Sequence, residues 1–180
     1  MDIAHDIAHD IAPAIDLTAV AGDPSLGPMA VNAVRRRRFA VLATASATGR
    51  AHSAGVLYQL AGGQLWVSTL ESSRKARNVA ANARVALTVP VRRLPFGPLA
   101  SVQLQATAAV VPVDDAELVR LAGSGALGRI TGHGELELPG GCFLRIELPR
   151  RVPLYGLGMS IWSFARNPLD AGRIAEVTWS

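Results

Sequence analysis

The period of the apolar residues changes at residue 39, and that change constrains the fold more than any other feature of the chain. Before it, residues 25–37 carry a helical pattern, opened by a turn at Asp23-Pro24-Ser25 and closed by Arg35-Arg36-Arg37-Arg38. After it the period is two. Phe39 to Thr44 reads as a buried strand, Ala47-Thr48-Gly49 as a turn and Ala51 to Leu60 as a second strand. Ala61-Gly62-Gly63 is another turn, and Gln64 to Thr69 is a third strand, which makes a meander with short hairpins. Ser72-Ser73 offers an N-cap to one short helix, Arg74 to Ala81. Strands resume at Arg84 to Val89, Ala100 to Val111 and Cys142 to Leu148, with a last one near Val152 to Leu157. Pro90 to Pro98 reads as a loop, a helix starts at Val113 to Glu117, and the glycine-rich residues 123–141 read as a flexible insert. The expected fold is mainly β: an antiparallel barrel, closed or half-closed, with peripheral helices.

Composition agrees that such a barrel can bury a core. Apolar residues are 49% of the chain and aromatics only 5%, so the interior is built from Ala, Val and Leu. The single cysteine, Cys142, cannot form an intrachain disulfide. No apolar run approaches the ~20 residues of a membrane helix. The first residues are acidic and interrupted by histidine, unlike a signal peptide, so a cytoplasmic protein is expected. Three regions follow: 1–24, an N-terminal extension; 25–158, the barrel; and 159–180, a tail that would pack at a dimer interface.

Several motifs weigh little. Asp-Ile-Ala-His repeats at the start, and His5 and His9 stand four apart, but no third metal ligand has a fixed place. Gly123-Ser124-Gly125-Ala126-Leu127-Gly128 spells a dinucleotide fingerprint, yet a helix rather than a strand precedes it. Cys142 lies in an apolar strand and reads as a core residue. His52 and His133 are isolated. The four-arginine run suits nucleic acid, but no second basic cluster with aromatics follows, which weighs against that partner.

The informative segment is Ser68 to Asn78. A strand ends in two hydroxyls, Ser68 and Thr69, and leads to a helix N-terminus whose free N–H groups suit an anion. Ser73 is the cap. Arg74, Lys75 and Arg77 add cations within one turn, and Asn78 follows one turn on. The lone lysine of a chain with 18 Lys+Arg residues and net charge +4 is Lys75. A phosphate cradle fits these residues; so does an ordinary solvated basic helix.

Four segments stand in a telling order: the Ala43-Thr44 strand end with Gly49-Arg50-Ala51-His52, then Trp66-Val67-Ser68-Thr69, Ser73-Arg74-Lys75-Ala76-Arg77-Asn78 and Asn82-Ala83-Arg84-Val85-Ala86-Leu87. In their order and spacing, the chain from Phe39 to Leu157 resembles the pyridoxamine-phosphate-oxidase-like split β-barrel superfamily. The resemblance implies a six-stranded antiparallel split barrel of the FMN-binding type. It also implies a homodimer, FMN or the deazaflavin coenzyme F-420 as cofactor, and a small-molecule substrate. It places the cofactor phosphate on Arg74 and Lys75, with Ser68 and Thr69 beside it; Ser73 and Asn78 join the candidate cofactor-binding residues from the helix reading above. It sets Ser53, Val56 and Leu57 along the ring. Some split barrels carry flavin or haem without turnover, and that alternative stays open. The pyridoxal-producing oxidases have basic residues where this chain has Ser53 and Tyr58, and a glutamine at the position of Ser101. Their Arg-x-His motif has no match in the tail, so that particular activity is not expected. No acid–base pair is implied; Trp162 and Phe164 of the tail would cover a substrate or pack in the dimer.

Overall fold

A computed structural model describes residues 22–92, 99–167 and 171–179. The repeat near the N-terminus, with His5 and His9, lies outside the described residues, as do residues 93–98 and the Phe164 side chain. The chain runs α1 (Gly27–Arg36), β1 (Phe39–Ala45), β2 (Ala51–Leu57), β3 (Gln59–Ala61), β4 (Gln64–Leu70) and α2 (Arg74–Ala81). It continues with β5 (Arg84–Arg92), β6 (Leu99–Pro112), α3 (Ala116–Gly123), α4 (Gly128–Thr131) and β7 (Gly141–Glu147). It ends with β8 (Arg151–Tyr155), α5 (Ile161–Arg166) and β9 (Gly172–Glu176).

Six long strands make one antiparallel path, β2-β1-β5-β6-β7-β4. Its two ends, β2 and β4, touch without forming a ladder, so the barrel is split rather than closed. β3 extends the path beyond β4, and β8 and β9 are added at β6. The alternation that marks the strands separates two faces. Leu42, Val56, Leu65, Leu87, Leu104, Leu144 and Ile146 fill the interior. Trp66 and Phe143 point the other way, into a second core roofed by Leu118 and Leu121 of α3 and Leu127 and Ile130 around α4. Leu127 is fully buried, so residues 123–141 are not a plain loop: they carry α4 and anchor this roof.

Local chemistry explains the turns. Gly62 and Gly63 both have positive φ, 59° and 74°, the requirement of the tight two-residue hairpin between β3 and β4. The expected single strand Ala51 to Leu60 is broken at Tyr58. There the backbone N–H donates to the Arg38 carbonyl and the phenol donates to the Val34 carbonyl at 2.8 Å. The bend lets the chain pair with β1 before it and β4 after it. β5 also runs beyond Val89, through Pro90 to Arg92. Its ladder to β1 covers only Val85 to Thr88, so at Pro90 just the β6 side is paired and the missing N–H breaks nothing on the other. The tail folds back: β9 pairs with β8, and the Trp179 indole N–H donates to the Pro149 carbonyl at 2.7 Å.

Candidate functional site

β4 delivers Ser68 and Thr69 to the start of α2. Ser73 takes an extended conformation, φ −68° and ψ 149°, and its Oγ accepts from the Ala76 N–H at 3.2 Å. The Thr69 hydroxyl donates to that same Oγ at 3.1 Å. The loop between them is pinned on both sides: the Ser73 N–H donates to the Leu70 carbonyl, and the Glu71 N–H to the Gly140 carbonyl. The N–H groups of Arg74 and Lys75 stand in the first turn, where the helix itself offers no acceptor.

The packing of α2 sorts its cations. Ala76, Asn78 and Val79 are buried, and Lys75, three before Asn78 and four before Val79, lies half-buried on that same face. Arg74 and Arg77 are exposed, and the Arg77 guanidinium turns back to donate to the Ser72 carbonyl. Beneath the cradle, burial pushes the Cys142 thiol up from its ordinary range; the Glu71 carboxylate adds to the rise and the Lys75 ammonium opposes it. Asn78 does not face outward. Its amide Nδ2 donates to Thr44 Oγ1 at 2.9 Å inside the barrel.

On β2 the alternation divides the expected residues. Ser53, opposite Ala43, and Leu57, opposite Phe39, are exposed, whereas Val56 is only 5% exposed and packs in the core. β2 ends the sheet, so one edge of its backbone has no ladder partner among the described residues. At the Ala51 end of β2 a hollow is lined by small residues, Ala43, Ala51 and Ala86, together with Thr44, Arg84 and Glu147. Tyr58 is buried with its phenol bonded to α1, and burial raises its pKa. It cannot replace the basic residue of the pyridoxal-producing enzymes. Ser101 sits on β6 opposite Pro90.

The nine expected residues therefore fall into three groups. Ser68, Thr69, Ser73, Arg74 and Lys75 meet at the β4–α2 junction. Ser53 and Leu57 lie on the exposed β2 face. Val56 and Asn78 point inward. Thr44 and Glu71 are not among the nine; Thr44 stands in the sequence only as the strand end Ala43-Thr44 and as a polar residue on the inward register Ala40-Leu42-Thr44.

Other candidates are placed apart. Arg35 and Arg36 close α1, while Arg37 donates to the Arg92 carbonyl at 3.1 Å. His133 faces Glu135 at 3.6 Å on the surface. His52 shares the inward register of Thr44, and its Nδ1 is buried without a partner. Among the described residues, no three His, Cys, Asp or Glu side chains gather as metal ligands, and no helix is long and apolar enough to cross a membrane.

The profile of the pyridoxamine 5'-phosphate oxidase family matches residues 27–148. No curated protein matches the sequence. Among solved structures, the haem storage protein of Vibrio cholerae superposes with TM-score 0.60 at 21% identity, over 74% of this chain and 96% of that one. A haem-binding protein of Mycobacterium smegmatis gives 0.63 at 21%, over 77% and 57%. An FAD-binding protein of Mesorhizobium loti gives 0.56 at 20%, over 67% and 86%. At these identities the likeness concerns the fold.

Proposed function

The chain belongs to the pyridoxamine 5'-phosphate oxidase family, and from that premise we propose that it is an oxidoreductase that binds FMN or the deazaflavin coenzyme F-420. It moves a hydride to or from a small organic substrate. One observation carries this reading. The first turn of α2 holds Arg74 and Lys75 and no acid, although a helix N-terminus favours anions and disfavours cations. Such a turn is unfavourable alone and favourable around a phosphate. The cap, the hydroxyl pair Thr69–Ser73 and the free first-turn N–H groups fit the same ligand.

When bound, the ring supplies the hydride chemistry, and the protein supplies binding and orientation. Lys75 and Arg74 hold the phosphate. Ser53 and Leu57, on the exposed face of the edge strand β2, would line the ring. A second copy of the chain covers the apolar residues exposed on this sheet, Phe39 at 46%, Val41 at 39% and Leu57 at 62%, and completes the ring's enclosure.

Haem is the second reading, supported by the orphaned Nδ1 of His52 and by the names of two structural neighbours. Separate absorbance titrations with FMN, coenzyme F-420 and haem test both. Submicromolar binding of FMN or F-420, followed by hydride transfer to quinones or enones, is the expected result. A haem Soret band lost in His52→Ala, with no flavin binding, would replace the reading.

A further inference from the structure

We infer that Thr44 is a positioning residue for the proposed phosphate cradle, acting through Asn78. The inference rests on the cofactor reading above. Among the described residues, Thr44 at 4% exposure and Asn78 at 7% are the only buried side chains that are neither apolar nor aromatic, and they are bonded to each other. The bond joins the middle of α2 to the end of β1. Around it, α2 is held by Ala76 and Val79, small apolar side chains in the main core. Apolar contacts have no direction and let a short helix rotate or slide. A hydrogen bond has one geometry. Asn78 is three residues after Lys75 and five after Ser73, so its bond sets the rotation that aims the lysine and the cap. A phosphate site depends on such placement, because displacing binding groups by about 1 Å weakens them severely.

The test separates positioning from mere stability. Thr44→Val and Asn78→Leu each leave the other partner buried and unpaired, so each single change destabilises the fold. The double variant Thr44→Val/Asn78→Leu replaces both groups by apolar ones and recovers thermal stability. Positioning does not recover with it. In the double variant, FMN is expected to bind about tenfold more weakly while riboflavin, which lacks the phosphate, changes by less than about twofold. Parental FMN affinity in a stable double variant overturns the inference, as do equal losses for FMN and riboflavin. Amide exchange in the ligand-free protein gives an independent arm. The Ala76 and Arg77 N–H groups, bonded to Ser73, should exchange about tenfold faster in the double variant. Unchanged exchange overturns the positioning role even if the parent binds no FMN, whereas a parent that binds neither FMN nor F-420 overturns the cofactor reading alone.

Discussion

Replacing Lys75 by alanine isolates the charge that the fold turns toward the cradle. The ammonium stands on the packed face of α2, half-buried and one turn before Asn78. Loss of a charged hydrogen-bond partner costs ~1.5–3 kcal/mol, and partial exposure keeps the figure near the middle, about 2 kcal/mol. That corresponds to roughly 30-fold weaker FMN binding at 25 °C. Arg77 is the internal control. Its guanidinium is exposed and already donates to the Ser72 carbonyl, so Arg77→Ala should weaken FMN by no more than about twofold. Stability should move the other way. A cation at a helix N-terminus is unfavourable by a few tenths of a kcal/mol, so Lys75→Ala leaves the melting temperature unchanged or slightly higher. Flavin fluorescence quenching at low and high salt, beside thermal melts, measures all three. Parental FMN affinity in Lys75→Ala, or an equal loss in Arg77→Ala, would refute the assignment of the two cations.

Ser73→Asp keeps an N-cap as good as serine but sets a carboxylate beside the phosphate, so urea stability should hold while FMN affinity drops more than about tenfold and riboflavin affinity does not. A Cβ at Gly27 would run into the Glu176 carbonyl oxygen, which β9 holds in place; Gly27→Ala should lower the unfolding free energy by about 2–3 kcal/mol in urea. Because burial raises the Cys142 thiol, the folded chain keeps its proton where the unfolded chain, with an ordinary pKa of about 8.5, loses it. That contribution to stability is complete below about pH 8.5 and is lost as pH rises beyond it, so Cys142→Ala should flatten the decline in urea midpoints measured from neutral to alkaline pH.

The parts of this fold that were legible in the sequence are those ruled by local chemistry. Phe39 to Thr44 alternates, Gly62-Gly63 allows one tight turn, and Ser73 can cap a helix by itself; each of these holds in the three-dimensional structure. The illegible parts depend on distant partners. Nothing near Tyr58 signals that its phenol will find the Val34 carbonyl and bend the strand. Pro90 stays in a strand because the ladder between β5 and β1 stops at Thr88, two residues earlier, a fact of register between separate segments. Leu127 and Ile130 form a roof because Trp66 and Phe143 lie beneath them. The site divides in the same way. The β4–α2 junction is continuous in sequence, and its cap and cations could be read directly. The inward turn of Asn78 needed Thr44, thirty-four residues away, and the outward turn of Arg77 needed the Ser72 carbonyl.

The central claim is that the first turn of α2 is built for a phosphate. Comparing FMN with riboflavin on the unaltered protein tests it most directly, since the two share a ring and differ in the phosphate. Paired charge-assisted contacts of about 1.5–3 kcal/mol each predict that FMN binds at least about 100-fold more tightly, with a preference that shrinks as salt rises. Equal affinities for the two, or a preference for riboflavin, would contradict the account.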